Sequence, residues 1–198
     1  MRNMNIPKPS LIFIFLTSLS SLFGCSGKSN SKKEEGKSAE ASLKEDNSYN
    51  EMRNGALTVK PEQLGIDIPE DSIVVYGIVM DWGIDDNTIA TIVSFKNGDA
   101  SLYLSSGGGI IGGGQHTNVN FAAKKFVELA ENYIVEQKPA IKMPLPVKDY
   151  IIFYILTNKG IFMLHEEMRN FENSSSLLLP LFEEGNIVLS ELRSISDK

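Results

Sequence analysis

Cysteine occurs once in this 198-residue chain, at Cys25, and histidine only twice. A single thiol excludes any disulfide within the chain, so the fold must rest on its apolar core. The cysteine pairs and His-x-x-x-His spacings that hold zinc are also missing. No Gly-x-Ser-x-Gly elbow is present, and no Gly-Lys-Ser/Thr follows the main glycine run, which excludes a Walker phosphate loop there. Basic residues number 19 against 25 acidic ones, a net charge of −6. Removing residues 1–24, with Arg2 and Lys8, would leave −8. This balance argues against nucleic acid as the main partner, because phosphate backbones are bound chiefly by lysine and arginine. No metal or cofactor is expected.

The uncharged run Leu11–Leu22 is long enough for the apolar region of an export signal and shorter than the roughly 20 residues of a spanning helix. It follows Arg2 and Lys8 and ends in Leu22-Phe23-Gly24-Cys25. This sequence resembles the lipobox of bacterial lipoproteins, in which a small residue precedes a cysteine that is acylated and becomes the new N-terminus. Phe23 departs from the pattern, being larger than the usual residue. The resemblance implies a signal peptide over 1–24, lipid attachment at Cys25, and a membrane-anchored protein that does not cross the bilayer. Ser26, where an aspartate would hint at inner-membrane retention, favours the outer membrane.

Residues 25–56 read as a flexible polar tether. Basic residues, from Lys28 to Lys44 and Arg53, nearly alternate with acidic ones from Glu34 to Glu51, and Leu43 and Met52 are almost the only aliphatic residues. Such a segment buries too little surface to offset its chain entropy. The folded domain is expected over 57–198. Ile73–Asp81 is apolar on both alternating faces, as in a buried central strand. Thr88–Phe95 is a second strand, with Ile89, Val93 and Phe95 on one face, and Asn97-Gly98 is a hairpin signal that returns Ala100–Leu104 antiparallel to it. Val119, Ala122, Phe126, Leu129, Ala130 and Tyr133 predict an amphipathic helix to about Glu136, capped by Thr117 or Asn118. Pro139, Pro144 and Pro146 make a stiff connector. Tyr150–Thr157 and Gly160–His165 are two further strands, and a last helix covers about Leu181–Ser194, with Pro180 near its start. The expected fold is α+β: a mostly antiparallel five-stranded sheet, element order βββαββα, with two helices gathered on one side.

The least ordinary segment is Ser105–His116, with six glycines among the eight residues Gly107–Gly114. Glycine visits positive φ freely and lets another backbone or a ligand come close. One reading is a tight strand-to-helix crossing. The other is a ligand site, in which backbone amides and a helix start hold an anion. Its residues would be Ser105, Ser106, Gly107, Gly108, Gly109, Gly112, Gly113, Gly114 and His116, with both serines as hydrogen-bond donors. The formal dinucleotide match Gly107-x-Gly109-x-x-Gly112 is weak, because the strand after the helix ends without the acidic residue that binds ribose. His116, His165, Asp81, Asp85 and Asp86 show no metal or acid–base spacing, and the aspartates read as decoration of a turn. Trp82 and Tyr103 read as core or rim aromatics.

Residues 73–193 also resemble a family of small bacterial proteins without assigned function. The resemblance is carried by Ser101-Leu102-Tyr103, the Ser106–His116 glycine motif, Phe153-Tyr154-Ile155-Leu156-Thr157, and Pro180-Leu181-Phe182 through Leu192-Arg193. It implies no activity and makes Gly107–His116 the first place to look for a site. The leading expectation is a non-enzymatic envelope lipoprotein whose domain binds another protein. A small-ligand or anion sensor built on the glycine loop is the second, and a hydrolase using His116 and the acidic turn the third.

Overall fold

The computed structural model describes residues 48–69, 71–134 and 138–196. The expected signal segment, Cys25 and the tether up to residue 47 lie outside the described residues. A helix over residues 48–58 (α1) and a short 3-10 turn, Pro61–Leu64, lead into the sheet. The strands are β1 (Val75–Gly83), β2 (Ile89–Phe95), β3 (Ala100–Leu104), β4 (Gly109–Ile110), β5 (Tyr150–Thr157) and β6 (Gly160–Glu167). The helices after β4 are α2 (Thr117–Ala130), α3 (Met168–Glu172) and α4 (Leu179–Ser196).

The strands form one antiparallel sheet in the order β4-β3-β2-β1-β5-β6. The meander β1–β2–β3 follows from its turn chemistry: Gly98 takes φ +92°, and its amide donates to Phe95 O at 2.8 Å. The second pair joins at β1, placing that strand at the centre and burying both its faces, as its unbroken apolar run requires. Alternate residues then belong to two different cores. Register puts Ile78, Met80, Ile92 and Phe153 on the face that meets α2 and α4. Gly185 of α4 sits so close that a Cβ there would lie 2.7 Å from Met80 Sδ and 3.1 Å from the Phe126 ring. Val79, Val93, Tyr103, Tyr154 and Leu156 fall on the opposite face, in a cluster with Tyr49, Ala56 and Leu57 of α1.

The α+β class and the antiparallel sheet agree with the sequence reading, but several details do not. The sheet has a sixth strand, because the glycine run folds back as β4 instead of crossing directly to a helix. Helices cover both faces of the sheet. Residues 48–56, expected within the tether, are helical, with Tyr49, Arg53 and Ala56 buried. Helix α2 stops at Ala130 and tightens into a 3-10 turn, Glu131–Tyr133, so it is shorter than predicted. Its N-cap is His116, without a side-chain cap bond, and neither Thr117 nor Asn118 fills that role. No described helix is long and apolar enough to cross a membrane.

Candidate functional site

The glycine run is built around the end of β3. Gly107 N donates to Leu104 O at 3.0 Å and Leu104 N to Gly108 O at 3.1 Å, closing a hairpin that lays Gly109 against Tyr103. Gly109 has φ +154°, and a Cβ there would stand 2.2 Å from the Leu102 carbonyl oxygen. Only glycine permits that approach. Farther on, Gly112 N donates to Ser101 Oγ and Gly114 N to Asp99 Oδ1, each at 3.2 Å. Gly113 is buried, with room for no more than its own backbone between Val119 and Leu192. The amides of Gly107, Gly112 and Gly114 are thus engaged within the fold. This favours the architectural reading of the run.

Ser105 is engaged too: its Oγ accepts from Ile89 N at 2.8 Å and donates to Asn87 O at 3.2 Å, tying the end of β3 to the β1–β2 turn. Ser106, Gly108 and His116 are exposed. A shallow polar depression of about 310 Å³ lies beside the loop, lined by Asn97, Asp99, Gly112, Gly114, Gln115 and Asn120. Its one carboxylate spends Oδ1 on the amides of Ala100 and Gly114. The depression suits a small neutral or cationic group better than an anion.

A second constellation sits on the other side of the sheet, between α1 and β1. Asp81 is fully buried in mid-face of β1, which corrects its assignment to an exposed turn. Asp85 is the turn residue, its carboxylate accepting from Asn87 N at 2.8 Å. Arg53 reaches down from α1 and grips Asp81 Oδ2 through Nε at 2.7 Å and Nη2 at 2.6 Å. Its remaining donors reach the carbonyls of Met143 at 3.3 Å and Pro144 at 3.2 Å. Its guanidinium carbon lies 5.3 Å from the centroid of the Tyr154 ring, a cation–π distance, and the Tyr154 hydroxyl donates to Pro144 O. Thr91 Oγ1 donates to Asp81 Oδ1 at 2.6 Å. The threonine proton being so used, the contact of Tyr49 with Thr91 at 2.8 Å has the tyrosine as donor.

Burial raises the Asp81 carboxyl above its ordinary range, against the opposing pull of the Arg53 charge and of the hydrogen bonds from Arg53 and Thr91. Burial and the Asp81 charge push the Tyr49 and Tyr154 hydroxyls up to about 12, so both stay protonated and act as donors. Both carboxylate oxygens of Asp81 are spoken for, and its surroundings admit no substrate. The network is a polar staple: it holds α1 and the connector to the sheet in one register.

Sequence reasoning drew attention to the glycine run and passed over this staple. Tyr49, Arg53, Asp81, Thr91 and Tyr154 come from four elements, with no spacing to betray them. The usable signal was an aspartate inside a strand otherwise apolar on both faces, which demands a buried cation. As expected of core or rim aromatics, Tyr103 is buried in the core and Trp82 is half-buried, meeting Phe182 edge-on at 5.8 Å. His116 and His165 are both exposed and belong to different elements, His116 at the start of α2 and His165 within β6, and among the described residues no group of three His, Cys, Asp or Glu could hold a metal ion. No family model, no curated protein and no solved structure matches this chain.

Proposed function

We propose that this chain is a membrane-anchored bacterial lipoprotein, acylated at Cys25 and sorted to the outer membrane, whose α+β domain works by binding another protein of the cell envelope. The observation that carries the anchoring is the order of the N-terminal features: basic start, apolar run, then Leu22-Phe23-Gly24-Cys25 with the sole cysteine last. The binding role is supported by the glycine loop, in which the amides of Gly107, Gly112 and Gly114 are bonded within the fold, and by the closed state of the Asp81 staple. Membership of the family of small bacterial proteins without assigned function belongs to the same reading and brings no activity. Growth of a bacterial host on an alkyne palmitate analogue tests the anchor. The wild-type chain takes up label and partitions into detergent, and Cys25→Ser does neither; label persisting on Cys25→Ser refutes the assignment. For the partner, a photo-crosslinker at the exposed Phe121 of α2 is expected to give a discrete protein adduct in cells, and its absence from every exposed position of α2 and α4 tells against that role.

The polar depression favours one second reading, a sensor of a small polar ligand. Gln115 lines it without supporting the loop, so Gln115→Ala keeps the fold. A ligand that raises the melting temperature of the wild-type chain, and not that of Gln115→Ala, would move the assignment to ligand binding.

A further inference from the structure

Between α2 and β5 the chain runs as an extended strap, residues 138–148, reading Lys-Pro-Ala-Ile-Lys-Met-Pro-Leu-Pro-Val-Lys. Its backbone is tied down. Ala140 N donates to Ile161 O at 2.7 Å, Arg53 and the Tyr154 hydroxyl hold the carbonyls of Met143 and Pro144, and just past the strap Asp149 N donates to Gly83 O at 2.9 Å. Met143 is partly buried against the α1-side core and Pro146 is buried. Yet Ile141 is 95% exposed, Val147 68% and Leu145 42%. Apolar side chains displayed from a fixed, proline-stiffened backbone are not fraying ends; such exposure marks an interaction surface.

The charge says what covers it. The strap carries Lys138, Lys142 and Lys148 and no acidic residue, in a chain of net charge −6. Opposed copies of so basic a segment repel each other. The strap also lacks the Trp, Tyr and Arg anchors that dominate protein–protein contacts. Aliphatic side chains interleaved with lysines, whose stems lie along apolar surface while their ammonium groups stay in water, match the boundary of an anionic bilayer. Met143 of the strap packs on the same face of the sheet as α1. Asp85 and Asp86 at the β1–β2 turn and Asp149 after the strap set the limit of the basic surface near Lys148. We propose that residues 138–148 seat on anionic phospholipid, with Ile141, Leu145 and Val147 entering the headgroup boundary and the three lysines pairing with lipid phosphates. This does not require acylation of Cys25.

The full chain, reconstituted in vesicles of phosphatidylcholine with or without about a third phosphatidylglycerol, tests it through the environment-sensitive fluorophore NBD on Ile141→Cys or Leu145→Cys. An acylated Cys25 takes no thiol label, so labelling of the wild-type chain reports on anchoring separately. If Cys25 does label, the same measurement proceeds on Cys25→Ser. NBD at 141 and 145 is expected to brighten, shift to the blue and be quenched by spin-labelled lipid in the anionic vesicles, and NBD at Ile187→Cys on α4 to remain aqueous. Combined Lys138→Gln, Lys142→Gln and Lys148→Gln should weaken this partitioning by on the order of 100-fold, at roughly fivefold per lysine. An aqueous signal at 141 in anionic vesicles overturns the proposal. So does a shift indifferent to lipid charge and to the lysines, or one that appears without vesicles as protein concentration rises, which would mean contact between copies.

Discussion

Arg53→Ala is the sharpest perturbation of this fold. It leaves the carboxylate of Asp81 in a site with no solvent access and one remaining donor, Thr91. It also strips the Met143 and Pro144 carbonyls of their guanidinium donors. Breaking a buried ion pair by removing one partner costs about 3–5 kcal/mol, a large share of the roughly 5–15 kcal/mol that stabilises a domain. Replacing both partners by apolar residues, Arg53→Met with Asp81→Leu, removes the unpaired charge and should restore most of the loss. Equilibrium urea unfolding of the wild type, both singles and the double gives the coupling directly. Acidity supplies an independent check. Burial raises the Asp81 carboxyl in the folded chain, so the folded state binds that proton more tightly than the unfolded state. The stability contributed by this group is therefore greatest at low pH and is lost as pH rises through the raised value. Without Arg53 the rise is larger still, so the deficit of Arg53→Ala should shrink as the pH is lowered. A loss below about 1 kcal/mol, a deficit that grows on acidification, or a double variant no better than Arg53→Ala would refute the reasoning.

Four further outcomes follow from the same geometry. A fragment beginning at Leu57 lacks Tyr49 and Arg53 and should be unfolded or aggregated by circular dichroism and size-exclusion chromatography, whereas one beginning at Ala39, which keeps all of α1 as described, should fold. Gly109→Val, with its new Cβ 2.2 Å from Leu102 O, should cost more than about 2 kcal/mol in urea unfolding; Gly108→Ala, at φ +82° in open space, should cost only about 1–2 kcal/mol. Tyr49→Phe removes the hydroxyl that donates to Thr91 and should lose about 1 kcal/mol in the same measurement. His116→Ala alters an exposed residue without a side-chain cap bond, and its midpoint should lie within about 0.5 kcal/mol of the wild type.

Sequence alone sufficed wherever a local pattern has one physical solution. The run around Ile78 is apolar on both faces, and only a central strand buries both. Asn97-Gly98 supplies the turn that makes β2 and β3 antiparallel neighbours, and the 3.6-residue stripe of Val119, Ala122 and Phe126 can be buried only by a helix lying on the sheet. The N-terminal expectation is also read from consecutive residues, and it lies outside the described residues. Tertiary structure decided what depends on distant partners. Arg53 in its charged segment has every local reason to stay solvated, and it is the carboxylate of Asp81, 28 residues away, that draws it inward as Tyr49, Ala56 and Leu57 bury the apolar side of α1. The glycine run announces a backbone device, but which device it is depends on the Leu102 carbonyl that Gly109 must pass and on the Leu192 side chain that closes over Gly113. A pattern of neighbours fixes how a segment curls and which of its faces is apolar; what that face meets is set by the one packing that leaves no charge alone in the interior.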